Sequence, residues 1–194
     1  MDTPVRTLAV ADHPLAMGVL ATAFSGDPLT RWLFPNPRTY LDVFEAFSYA
    51  FGGAAIELNH AYIAGEYHGA ALWLPPGVES DTETMVEILS QHCSESVLAD
   101  IPDFMTQMEK VHPEDENCWY LAMIGVDPCY QGRGIGAALL KQALSAIDEQ
   151  GGAAYLEAST RQNAALYARH GFEICGTVQS GSSPEMYPMF RPAR

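Results

Sequence analysis

GVDPCYQGRGIGAALL, residues 125–140, begins as the end of a strand and finishes as the start of a helix. Upstream, NCWYLAMIGVD (117–127) is an apolar and aromatic run of strand length. Downstream, GIGAALLKQALSAIDEQG (134–151) repeats apolar residues at helical spacing and closes on glycine. Gly132, Gly134 and Gly136 sit at the junction. Glycine adopts positive φ freely, and successive backbone N–H groups in such a turn, at a helix N-terminus, form a cradle for anionic oxygens. A P-loop would need a lysine directly after its last glycine, whereas the nearest here is Lys141, well inside the helix. A dinucleotide fingerprint needs GxGxxG early in a βαβ unit, and this turn is late and spaced G132-x-G134-x-G136. A phosphate-bearing ligand and a turn that serves only tight packing both remain open on the glycines alone.

Working outward, AAYLEAS (153–159) reads as a strand, RQNAALYARHG (161–171) as a short helix ending at glycine, and FEICGTVQ (172–179) with EMYPMFR (185–191) as a closing hairpin. Towards the N-terminus, DHPLAMGVLATAFSG (12–26), with Asp12 as cap, and RTYLDVFEAFSYAF (38–51) are amphipathic helices flanking a turn-rich GDPLTRWLFPNP (26–37). AIELNHAYIAGE (55–66) and YHGAALWLP (67–75) suit an antiparallel hairpin. From Thr82 to His112 two helices are expected, separated near Ile101-Pro102, because proline disfavours helix at the residue before it.

A chain of 194 residues with 48% hydrophobic content supports one core, so a single domain over 1–194 is expected. No basic leader followed by an apolar run and no long apolar segment appears, which predicts a cytoplasmic protein without membrane contact. Cys93, Cys118, Cys129 and Cys175 lack metal-ligand spacing and read as reduced thiols, with no metal site. The net charge is −14, and all of it lies in the first part: 18 acidic against 4 basic residues in 1–125, and 6 against 6 in 126–194. Such a surface disfavours nucleic acid and anionic membrane and favours approach of cations such as amines, besides aiding solubility.

Gln131-Gly132-Arg133-Gly134-Ile135-Gly136 matches the Gln/Arg-x-x-Gly-x-Gly/Ala pattern of the GNAT superfamily of acyl-CoA-dependent N-acetyltransferases. CWYLAMIGVDP, YLEAS and NAALYARHGFE follow in that family's order. The run most resembles the puromycin N-acetyltransferase-like group, with weaker similarity in FSGDPLTRWLFP and GAALWLPPG. The resemblance implies an α+β fold with a mixed, mostly antiparallel sheet, flanked by helices and splayed between its fourth and fifth strands to admit acetyl-CoA. Residues 1–117 would then lie mainly on the acceptor side and 118–194 mainly on the acetyl-CoA side. It also implies a diphosphate held by the backbone of Gly132, Arg133, Gly134, Ile135, Gly136 and Ala137, with Gln131 opening the motif. The pantetheine arm and thioester would lie against Ile124, Gly125 and Val126, and Asn163 would contact the same arm.

Acetyl transfer to an amine needs a neutral amine, a donor for the developing oxyanion and a proton for the departing thiolate. An N–H beside Gly125-Val126 suits the oxyanion. Tyr167 lies four residues after Asn163, on one face of the short helix, and in the family a tyrosine there faces the sulfur; the alternative is an aromatic packing residue. Glu157 is the first candidate for the base, with a paired structural carboxylate the competing reading and His112, Glu66 or a water chain as other routes. For the acceptor, Asp27 would meet a cationic amine, with Trp32 and Trp73 as aromatic walls; Phe34 reads rather as a core anchor. The expected protein is a monomeric or homodimeric N-acetyltransferase acting on a small amine by direct transfer in a ternary complex. A non-catalytic acyl-CoA-binding sensor or scaffold is the alternative, disfavoured by the Asn163/Tyr167 pair.

Overall fold

The computed structural model describes residues 3–194. Seven strands, β1 (Val5–Thr7), β2 (Ala61–Ala64), β3 (Gly69–Leu74), β4 (Cys118–Val126), β5 (Ala153–Ala158), β6 (Glu173–Ile174) and β7 (Tyr187–Arg191), form one sheet in the order β1-β2-β3-β4-β5-β7-β6. Every pairing is antiparallel except β4 with β5. The helices are α1 (His13–Phe24), α2 (Pro28–Leu33), α3 (Pro37–Gly52), α4 (Ala54–Glu57), α5 (Thr82–His92), α6 (Glu95–Val111), α7 (Ile135–Glu149) and α8 (Arg161–Ala168). The α+β class and the splayed sheet expected from the sequence are both observed.

Alternation along the strands divides the core into two layers. Trp73, Trp119 and Leu121 pack beneath α7 with Leu139, Leu140 and Tyr167, whereas Ile63, Leu72 and Met123 pack on the other face with Leu20, Phe34 and Phe44. One irregularity matters for the site. Leu72 is opposite Met123 and Trp73 opposite Leu121, so Ala122 has no partner and β4 bulges there. The bulge puts Tyr120, Ala122 and Met123 on the face shared with α1 and α3, while Ile124 and Val126 pack toward α7.

Several local expectations are corrected. The turn-rich 26–37 segment contains α2, because Asp27 caps it by accepting from the Thr30 N–H and Pro28 occupies its first position. Ala54–Glu57 continues as helix, which shortens the first hairpin strand to β2. The break between α5 and α6 falls at Cys93-Ser94, where Ser94 caps α6, and Pro102 lies inside that helix. Pro102 lies on the exposed side of that helix, where its ring meets no core packing. Asp12 precedes α1 without a side-chain cap, since its carboxylate is taken by Arg6 at 2.5 Å and Tyr67 at 2.9 Å. The edge strand β1 is three residues long, too short to show a period.

Candidate active site

The parallel ladder between β4 and β5 ends at Tyr120 opposite Tyr155. Beyond it β4 bonds only β3 and β5 bonds only β7, so the sheet opens into a cleft. The Asp127 N–H donates to the His68 carbonyl at 2.9 Å. Strand alternation therefore turns the N–H groups of Val126 and Ile124 away from β3, toward the cleft. Gly125 has a different job: a Cβ there would stand 2.7 Å from the Ala23 Cβ and 3.2 Å from Leu20 Cδ2, so α1 can pack on β4 only over a glycine.

At the end of β4 the glycine turn leads into α7. Gly132 and Gly134 have φ of 73° and 79°, and a Cβ on either would meet nothing within 4 Å. None of the backbone N–H groups from Gln131 to Ala137 has an acceptor among the described residues; the Ala138 N–H is the first to bond back, to the Gly134 carbonyl. Seven consecutive free donors at a helix start, beside open space, fit a diphosphate. The turn itself is braced by side chains. Gln131 Nε2 donates to the Val126 carbonyl at 3.2 Å, and Arg133 Nη2 to the Cys129 carbonyl at 3.2 Å.

Thr160 caps α8, and Asn163 and Tyr167 lie one turn apart on it, Asn163 exposed and Tyr167 at 7% exposure. Burial raises the Tyr167 phenol well above its ordinary range, and the Asp27 carboxylate raises it further. The ring packs edge-on against Phe172 in the α7 layer, with centroids 6.2 Å apart.

On the opposite wall Tyr120 donates to Glu157 Oε2 at 2.6 Å. Burial raises the Glu157 carboxyl, opposed chiefly by the hydrogen bond from Tyr120. Tyr155, its register partner in β4 Tyr120 and the ring of Phe51 on α3 surround the carboxylate side of the cleft. The sequence reading missed Tyr120 and Tyr155. The signal for Tyr155 was present in alternation, since Tyr155 and Glu157 are two apart on one strand and share a face.

The acceptor candidates separate. Asp27 uses Oδ1 to cap α2, accepting from the Thr30 N–H at 3.0 Å and its hydroxyl at 3.2 Å. Trp32 donates from Nε1 to Ser182 Oγ at 3.0 Å and packs on Phe104, so it joins α2 to α6 and the β6–β7 loop. Trp73 is fully buried beneath α7, on the other face of the sheet, and does not stand opposite Trp32. Phe34 is fully buried, as a core anchor should be. His112 packs against Tyr155 at 4.7 Å, whereas Glu66 is exposed at the tip of the β2–β3 hairpin. Two surface hollows of about 220 and 190 Å³ lie elsewhere, beside His13 and Tyr49 and behind Trp73.

The fold and the cleft define a class. Residues 104–174 match the family model described as an acetyltransferase (GNAT) domain, and the chain is an acetyl-CoA-dependent N-acetyltransferase. Among curated proteins it is 23% identical over 186 residues to an uncharacterized N-acetyltransferase of Schizosaccharomyces pombe, covering 86% of this chain and 73% of that one. A shorter stretch of 55 residues is 51% identical to the N-alpha-acetyltransferase RimI of Mycobacterium tuberculosis, covering 27% of this chain and 34% of that one. Among solved structures, the histone acetyltransferase HPA2 and related acetyltransferase of Corynebacterium glutamicum superposes with a TM-score of 0.71 at 26% identity, over 100% of this chain and 98% of that one. An agmatine N-acetyltransferase gives 0.67 at 17% identity over 98% of each chain, and the NatC complex bound to Gag peptide and CoA gives 0.56 at 14% over the whole of both. No helix among the described residues is long and apolar enough to cross a membrane.

Proposed function

We propose that the chain transfers the acetyl group of acetyl-CoA directly to the primary amine of a small cationic or aromatic molecule, within a ternary complex. What supports this reading is the opening of the sheet beyond Tyr120 and Tyr155, with Tyr167 in the layer of α7 and the Tyr120–Glu157 pair on the other face. Acetyl-CoA supplies the activated acetyl thioester. The free N–H groups from Gln131 to Ala137 hold its diphosphate, with Asn163 on the pantetheine arm. The Val126 N–H, aimed into the cleft, stabilises the carbonyl oxygen as it gains charge.

Glu157 takes a proton from the amine, and burial brings its affinity for that proton closer to the working pH. Tyr167 stays protonated because burial and the Asp27 charge both oppose the phenolate, which suits it to donate its proton to the departing sulfur. One N–C bond forms and one C–S bond breaks, while one proton goes to Glu157 and one leaves Tyr167; solvent then takes the proton from Glu157 and returns one to Tyr167. The acceptor enters the cleft beside the α1–α2 turn, where Asp27 lies, with Trp32 behind it. An aromatic wall of this kind is what the similarity to the puromycin N-acetyltransferase-like group leads one to expect.

We take the chain to act as one domain over 1–194, monomeric or homodimeric, in the cytoplasm. The test is thiol release from acetyl-CoA with a panel of amines: agmatine, a polyamine, an arylethylamine and a peptide with a free N-terminus. Turnover with the small amines and none with the peptide is expected. Turnover confined to the peptide would assign the acceptor to protein N-termini instead, and CoA binding without release for every amine would favour a sensor or scaffold.

A further inference from the structure

Besides its own braces from Gln131 and Arg133, the glycine turn is met by a residue 62 positions before Tyr130. His68, the last residue of the β2–β3 turn, stacks on the ring of Tyr130 with centroids 3.8 Å apart and an interplanar angle of 16°. The Arg133 guanidinium sits 5.1 Å from the same ring centroid and donates to the Cys129 carbonyl at 3.2 Å. The His68 backbone is fixed on both sides: its N–H donates to the Ala64 carbonyl, and its carbonyl accepts from the Asp127 N–H, each at 2.9 Å. The imidazole is therefore delivered to the turn by a rigid hairpin, and Tyr130, whose N–H bonds the Asp127 carbonyl at 2.8 Å, passes that restraint to Arg133.

We propose that His68 is a positioning residue for the diphosphate cradle, acting through Tyr130 and Arg133, and that it sets affinity for the nucleotide half of the donor without taking part in the chemistry. This rests on the reading of the turn as the acetyl-CoA site. Two gains follow from the stack. It lowers the number of shapes the two positive-φ glycines can sample before binding, which reduces the ordering cost at that moment. It also keeps the guanidinium of Arg133 over the Tyr130 ring beside the turn, where it adds positive charge near an anionic ligand.

The test compares two donors, acetyl-CoA and S-acetylpantetheine, the second lacking the diphosphate and the nucleotide. His68→Ala is expected to raise KM for acetyl-CoA roughly two- to tenfold, the range for losing one aromatic pair, with kcat unchanged. With S-acetylpantetheine, kcat/KM should match the wild type. His68→Phe, which keeps a flat ring, should restore KM for acetyl-CoA. Tyr130→Leu should reproduce His68→Ala, and the double variant should be no worse than either single one. An unchanged KM for acetyl-CoA, or an equal loss with both donors, overturns the proposal. If the wild type itself shows no preference for acetyl-CoA over S-acetylpantetheine, the assignment of the turn fails instead.

Discussion

Glu157 shows how one residue's surroundings decide between two readings that its type leaves open. A carboxylate on a strand is equally at home as a structural partner, and Glu157 does have one, in the Tyr120 hydroxyl at 2.6 Å. That bond alone would lower its proton affinity, yet burial outweighs it and the net shift is upward. A group needed as a base works only when deprotonated, so kcat/KM should rise with pH through a pKa above the ordinary carboxylate range. Glu157→Gln should abolish that acidic limb and lower kcat by about a hundredfold or more, as loss of a general base does. A pH–rate profile that keeps the limb in the glutamine variant would return Glu157 to a structural role and leave the proton to water or to His112. The sequence made Glu157 visible but hid Tyr120. Its neighbours Trp119 and Leu121 are core residues, and only the register of β4 against β5 shows which way the phenol points.

Among the elements, those with long uninterrupted periods were legible from the sequence: β4, α7, β5 and α8 fall where the apolar runs place them. The misses share a cause. α2, α4 and β1 have six, four and three residues, each less than the two turns or alternations that a period needs to declare itself. Pro102 misled for another reason: its ring faces solvent, so the helix tolerates it. The Ala122 bulge left no trace in the residues, although it decides which side chains face α7 beyond that point. Gly125 was assigned to the thioester by resemblance, and the packing gives it a second reason to be glycine. Gly125→Ala should force β4 and α1 apart and destabilise the fold by about 1–3 kcal/mol, the usual cost of overpacking. Chemical denaturation measures this directly, and a loss within error of zero would mean that α1 shifts freely.

For the molecule as a whole, the cleft depends on two layers being held to one sheet. Arg191 of β7, 2% exposed, makes a bidentate pair with Asp148 near the end of α7, with both contacts at 2.7 Å. Asp148→Ala would leave a buried guanidinium with only the His170 carbonyl, at a cost of about 2–3 kcal/mol after allowing for the partial exposure of the carboxylate. The melting temperature should fall by about 5–10 °C. Arg191 holds the Asp148 carboxyl below its ordinary range. A carboxylate with a depressed folded pKa stabilises the fold above its unfolded pKa and loses that stabilisation as pH falls through the folded value. The stability gap between wild type and variant should accordingly close in acid.

The central claim is that the splay of β4 from β5 brings the Tyr167 phenol to the junction between donor and acceptor as the acid for the departing thiolate. Tyr167→Phe removes one oxygen from a packed ring and leaves the glycine turn untouched, so parallel measurement of kcat and of CoA affinity in this variant is the most direct test. The account predicts a fall in kcat of about a hundredfold or more with the dissociation constant for CoA unchanged. A kcat equal to the wild type's would contradict it.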